Sequence, residues 1–238
     1  MSSTDTSHIA VQDQPPSYNL IAPYAPPEIC PPISDARKIL KGLPPGMGLF
    51  LQINQLSVKE KFSVSQGNGS TFDVLNQVGQ RLFQADEHDV CCGPTYDVSI
   101  KDNSDNEVLH LLGGGCCCSC TEEIAVQYFS GTLVGFVKLH DNNLVTHLSV
   151  MNSSKKVVLL ILGPSFQDSI FGNSTYEVKS RDEQHVVGMI KMETDHSLVT
   201  FPVDMEVTVK ALLLGSSLYL YNLIKAKRRR LRTQARTH

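Results

Sequence analysis

The chain has 238 residues, 41% of them hydrophobic, and a formal net charge of -3. That is enough length and apolar content to bury a sizeable core, so a wholly disordered chain is excluded. Seven cysteines, an odd number with several adjacent, fit a disulfide framework badly. The first residues lack the charged-then-apolar pattern of a secretory signal, so the expected compartment is the cytosol, where thiols stay reduced.

Residues 1–45 carry nine of the twelve prolines and few large apolar residues. They are expected to be an extended, disordered proline-rich segment that encloses no core. Pro15, Pro16 and Tyr18 form a PPSY element there. A Pro-Pro-x-Tyr sequence pre-forms polyproline II geometry and suits the aromatic groove of WW-domain, or related SH3-domain, proteins.

From residue 46 onward short runs alternate apolar and polar residues, with turn chemistry every eight to twelve positions. Twelve strands are predicted: LFLQIN, VKEKFSV, TFDVL, RLFQAD, TYDVSIK, EVLHLL, EIAVQY, LVGFVKL, LVTHLSV, KVVLLIL, TYEVKS and HVVGMIK. Their connectors NQVGQ, DNSDN, SGT, HDNN, NSSK and RDEQ are short and polar, as antiparallel hairpin loops should be. The period then breaks at DMEVTVKALLLGSSLYLYNLI, residues 204–224. Its apolar run, Ala211–Ile224, is shorter than the roughly 20 mainly apolar residues that cross a bilayer. Glu206 and Lys210 trim the span, and Gly215, Ser216, Ser217 and Asn222 interrupt it, so a buried helix is favoured over a transmembrane one. A helix apolar on nearly all sides must be surrounded by protein or lipid, and twelve amphipathic strands need something to close around. The fold expected is therefore mainly β, a twelve-stranded antiparallel barrel over residues 46–224 around a central C-terminal hydrophobic helix.

Residues 225–238 form a separate basic tail with seven Lys or Arg and no acid, against 14 basic and 24 acidic side chains elsewhere. Lys225, Lys227, Arg228, Arg229, Arg230 and Arg232 head it. A solvated terminus, an anionic-membrane contact and a nuclear import signal all fit this composition. A nucleic-acid role has only phosphate attraction in its favour, with no base-reading element.

No nucleophile, base and orienter arrangement is legible around His140, His147, His185 or His196, so a bond-making enzyme is disfavoured. The cysteines are more informative. Cys91 and Cys92 precede TYDVSIK, and Cys116, Cys117, Cys118 and Cys120 follow the returning strand EVLHLL, so one hairpin end should gather six of the seven. A zinc site using Cys117-x-x-Cys120 with Cys91 or Cys92 is one reading of that patch. S-acylation is the preferred one: one chain anchors weakly, and stable attachment needs further chains or a basic patch.

The segments LPPGMGLFLQINQL, FDVLNQVGQRLFQADE, DVCCGPTYDVSIKDN, GGGCCCSC, YEVKSRDEQHVVGMI and FPVDMEVTVKALLLG, in this order, resemble the phospholipid scramblases over roughly residues 43–224. The resemblance implies a Tubby-like barrel around a central helix, and calcium-stimulated, ATP-independent movement of phospholipids between leaflets. It also implies palmitate or other acyl chains on Cys116, Cys117, Cys118 and Cys120, with Cys91 and Cys92 as secondary candidates. Aligned backwards from the FPVD run, it implies a calcium site at Glu193, Asp195, Ser197, the Val199 carbonyl and Asp204. Glu193 stands where the family favours aspartate, Ser197 replaces an aromatic residue, and about ten residues are missing before Glu193. Exposed turn carboxylates are the competing reading. The expected setting is the cytoplasmic face of the plasma membrane, against anionic inner-leaflet phospholipids, with homo-oligomers conceivable and the nucleus as a second location for unacylated protein. An acyl-anchored adaptor that recruits WW-domain partners is the alternative function.

Overall fold

The structure is a computed structural model that describes residues 42–61, 69–88, 96–114, 123–140, 145–165, 168–169 and 172–234. Twelve antiparallel strands close into a barrel in which each pairs with its sequence neighbours and β1 with β12. They are β1 (Gln55–Lys61), β2 (Thr71–Leu75), β3 (Arg81–Glu87), β4 (Tyr96–Asp102), β5 (Glu107–Gly113), β6 (Glu123–Tyr128), β7 (Leu133–His140), β8 (Val145–Asn152), β9 (Val157–Pro164), β10 (Ser174–Ser180), β11 (Val186–Met192) and β12 (His196–Thr200). Closure leaves no unpaired sheet edge. The helix α1 (Val207–Gln234) follows β12 and enters the barrel.

The alternation read from the sequence is the alternation of burial. Leu56 and Val58, Phe72 and Val74, Phe83 and Ala85, Val98 and Ile100 are buried on successive strands. Val58 stands opposite Val74, Val74 opposite Phe83, Phe72 opposite Ala85 and Ala85 opposite Ile100, and Leu56 meets Val199 of β12 where the barrel closes. What they close around is α1, whose residues Ala211–Leu214 and Ser216–Tyr221 are buried on every side. Gly215 lies where a Cβ would come within 3.2 Å of both Leu111 and Val126, so the helix backbone approaches the β5–β6 wall through a residue without a side chain.

The two ends of the barrel differ. At the end where α1 enters, five hairpins share one construction. Asn76, Asp102, Tyr128, Asn152 and Ser180 each accept, at the backbone carbonyl, the N–H of the residue three positions on, at 2.8–3.1 Å. That later residue, Gly79, Asp105, Gly131, Lys155 or Glu183, has φ between 57° and 77°. A register shift falls beside each turn. This is a type I turn closed by a left-handed residue and a bulge. At three of the five, the Asn or Asp side chain also accepts backbone N–H groups two and four residues ahead, as Asp102 does from Ser104 (2.8 Å) and Asn106 (3.0 Å). At the other end, where α1 leaves, most connections are longer, and several lie partly outside the described residues.

Two differences from the sequence reading offset each other in the strand count. LFLQIN is not a strand: Met47–Phe50 form a 3-10 helix whose Met47 and Phe50 plug the entry end, with Phe50 stacked on Phe83 at 5.0 Å. The twelfth strand is HSLVT, which pairs with β1 and β11 and closes the barrel. The backbone of α1 continues without a break into the basic segment, to Gln234.

Candidate functional site

The chemistry concentrates where α1 emerges. Tyr221, Ile224, Lys225, Arg228 and Arg229 stand at i, i+3, i+4, i+7 and i+8, so they form one stripe on the helix. With Glu60 of β1, Met192 of β11 and Glu193 and Thr194 of the following turn, they line a cavity of about 390 Å3. Lys225 forms an ion pair with Glu60 and donates to Ser70 Oγ at 2.7 Å. Tyr221 donates to the second Glu60 oxygen at 3.0 Å, and its ring meets Phe72 edge-on at 5.4 Å. Burial works against the Glu60 charge, but Lys225, Tyr221 and Ser70 outweigh it and hold the carboxyl below the usual carboxylate range. The same burial, with the Glu60 charge added, pushes the Tyr221 phenol well above its ordinary value. Arg228 donates to the carbonyls of Ser169 (3.2 Å) and Gly172 (3.5 Å), which fixes its guanidinium on the cavity wall. Asn222 reaches Glu87 of β3 on a neighbouring face of the helix.

A second polar lock sits at the entry end. Lys210 is fully buried, and its ammonium donates to the backbone carbonyls of Phe50 (3.0 Å), Leu51 (3.3 Å), Ile53 (2.9 Å) and Val203 (2.6 Å). Burial pulls its pKa below the ordinary lysine range, opposed by the charge of Asp204. The lysine that shortened the apolar run in the sequence is thus the clamp that joins α1 to the segment before β1 and to the turn before the helix. Midway along the barrel, Ser217 of α1 and Ser197 of β12 share a buried hydrogen bond of 2.8 Å.

The structure does not gather the five calcium candidates. Glu193 and Asp195 stand in the β11–β12 turn at the exit end, where His196 bonds Asp195 at 2.9 Å and approaches Glu193 at 3.5 Å. The imidazole of His196 is the main reason that the Asp195 carboxyl lies below its ordinary range. Ser197 points into the barrel toward Ser217. Val199 is paired on both sides, with Leu56 and Ile190. Asp204 follows β12 at the entry end, a strand length of roughly 17 Å from Asp195. Among the described residues no group of three or more His, Cys, Asp or Glu is arranged to hold a metal ion.

The lipidation and WW-ligand candidates, Cys91, Cys92, Cys116, Cys117, Cys118, Cys120, Pro15, Pro16 and Tyr18, lie outside the described residues. The strands that flank the cysteine segments are described, however. His88 and Tyr96 bracket the first and Gly113 and Glu123 the second, and all four belong to the end from which α1 emerges. The side chains of Arg230 and Arg232 are also outside the described set, although the helix backbone runs through both. Sequence reasoning missed Glu60 and the Lys210 cage. Glu60 looked like one polar member of an amphipathic strand, and nothing local marks the backbone carbonyls that receive Lys210.

A closed antiparallel barrel wrapped on a C-terminal helix, with a basic helical stripe at its exit, is thus the architecture to which this sequence commits. The Scramblase family model matches residues 33–222, and the chain belongs to that family. It is 29% identical over 201 residues to Phospholipid scramblase 1 of Homo sapiens, 30% identical over 201 residues to Phospholipid scramblase 2 of Bos taurus, and 26% identical over 202 residues to Phospholipid scramblase family member 5 of Homo sapiens. Each match takes in 73% of this chain, and 63%, 69% and 74% of the respective relatives. The X-ray structure of a protein from Arabidopsis thaliana overlaps at a TM-score of 0.46 and 13% identity, covering 74% of this chain and 95% of that one, a likeness too slight to build on.

Proposed function

We propose that this protein moves phospholipids between bilayer leaflets, without bond-making chemistry and without ATP, as an intact barrel that keeps its helix inside. The observation that carries this reading is the state of α1 in a chain of the Scramblase family. Val207–Arg229 is long and apolar enough to cross a membrane by length and composition, yet 78% of its most apolar window is buried by the protein itself. It is tied at the entry end by Lys210 and at the exit end by Lys225 and Tyr221. Extracting it would orphan four backbone carbonyls and the Glu60 carboxylate, so the lipid path must run over the outside of the barrel.

Attachment at the cytoplasmic face of the plasma membrane belongs to the same proposal. Acyl chains on Cys116, Cys117, Cys118 and Cys120 would leave the barrel at the end that also carries the basic stripe of α1, which supplies the two signals stable anchoring needs. Calcium is proposed as the stimulus and not as a resident of the five-residue set, since those positions do not converge. The adaptor reading rests on PPSY alone and is tested by whether Tyr18→Ala abolishes capture of WW domains. Purified protein in vesicles carrying a fluorescent lipid tests the main proposal. Faster loss of outer-leaflet asymmetry than in empty vesicles, increased further by calcium, is the result expected, and equal rates refute the proposal.

A further inference from the structure

The cavity at the helix exit has a composition that membrane attraction alone does not require. Diffuse attraction to an anionic surface needs only basic residues somewhere near it, and it is indifferent to which face of the helix they occupy. Here the cations are sorted: Lys225, Arg228 and Arg229 fall on the cavity stripe, whereas Lys227 lies on the opposite side of the helix at about 100° per residue. The arrangement is also held in place. Glu60 and Ser70 fix Lys225, and two backbone carbonyls fix Arg228, while Arg229 is exposed at the rim. Of the two lining carboxylates, Glu60 is engaged by Lys225 and Tyr221, and Glu193 stands at the edge beside His196. The helix carbonyls that carry negative partial charge are not in the cavity, because α1 continues to Gln234. Met192 and Ile224 add an apolar wall, and about 390 Å3 is room for more than a bare phosphate.

We infer that this cavity is a binding site for a lipid headgroup ending in a phosphate monoester. A terminal phosphate has no further headgroup covering it and carries up to two charges, so two or three cations on one wall can converge on it. A phosphodiester is flanked by ester arms on both sides and presents a single charge. Guanidinium groups suit this ligand because they offer paired donors to phosphate oxygens. The apolar wall would lie against the glycerol carbons. The inference rests on the membrane reading above for the source of the ligand and not for the chemistry of the site.

The test uses the full chain and two sets of phosphatidylcholine vesicles matched in surface charge, one containing phosphatidic acid and the other phosphatidylserine. Co-sedimentation should favour phosphatidic acid. Arg229→Gln should remove that preference and weaken binding to phosphatidic acid about five-fold, the factor one basic side chain contributes near an anionic surface. Lys227→Gln makes the same charge change off the cavity and should leave the preference intact. Glu193→Gln removes a lining negative charge and should strengthen it. Equal binding to the two vesicle sets, or loss of preference in Lys227→Gln as large as in Arg229→Gln, overturns the site. Saturable binding of free glycerol 3-phosphate with no preference between vesicles assigns the cavity to a soluble phosphomonoester and overturns the lipid source. Leaflet exchange measured on the same samples separates the two conclusions, because a variant that loses preference but still exchanges lipid bears on the cavity alone.

Discussion

Lys210 shows how much a single side chain can decide in this fold. A charge in the middle of an apolar run reads from sequence as a limit on the hydrophobic span, because three of its four main-chain carbonyl partners lie some 160 positions earlier in the chain. Replacing it by Met keeps the length and removes the donors, leaving buried carbonyls unsatisfied, each at a cost of about 1–3 kcal/mol. Lys210→Met should therefore lower the unfolding free energy by about 3 kcal/mol or more, read from the denaturant midpoint. Glu60 yields a pH dependence. Its folded pKa is depressed below the ordinary value of 4.5, so its contribution is complete above that value and is lost as pH falls through the lower, folded pKa. Stability should decline with acidification in that window, and Glu60→Gln should flatten this part of the profile. An unchanged slope would mean that other carboxylates govern acid unfolding.

At the scale of elements, the hairpins were the most legible part of the sequence. Asn76, Asp102 and Asn152 begin their turns with side chains that bond forward to the backbone, and that chemistry is written in NQVGQ, DNSDN and NSSK. HSLVT was not legible. Five residues beginning with His and Ser, and preceded by carboxylates, look like a polar loop, and only the closing contact with β1 makes them a strand. The same strand sets the positions of Ser197 and Val199, whose side chain and backbone, respectively, are engaged in the barrel. The left-handed residue of each turn offers a direct check. Glu183 is exposed at φ 61°, where a side chain is disfavoured by about 1 kcal/mol. Glu183→Gly should raise stability by about 0.5 kcal/mol once the added chain entropy of glycine is subtracted, whereas Gly131→Val at φ 76° should lower it. Thermal unfolding of the two variants reads both signs.

For the whole molecule, the sequence indicated a barrel around a helix, because period-two strands and one all-apolar segment admit few other closures. It could not say which end does what. The structure separates an end of five tight, similarly built turns and a clamped helix entry from an end of longer connections, cysteine-bearing segments and a cationic cavity. In the function proposed above, the exit end meets the membrane while the entry end holds the fold together. The proposed mechanism requires that the helix stay inside while lipid moves. Ser197 and Ser217 touch in the barrel interior at 2.8 Å, close enough for a cysteine pair to form a bridge between β12 and α1. Leaflet exchange by the Ser197→Cys/Ser217→Cys protein, oxidised and reduced, with the unmodified chain under the same oxidant as control, is the decisive measurement. We expect equal rates in both states, each above those of empty vesicles. Exchange that disappears on oxidation and returns on reduction would contradict the account, because it would show that the helix must leave the barrel to act.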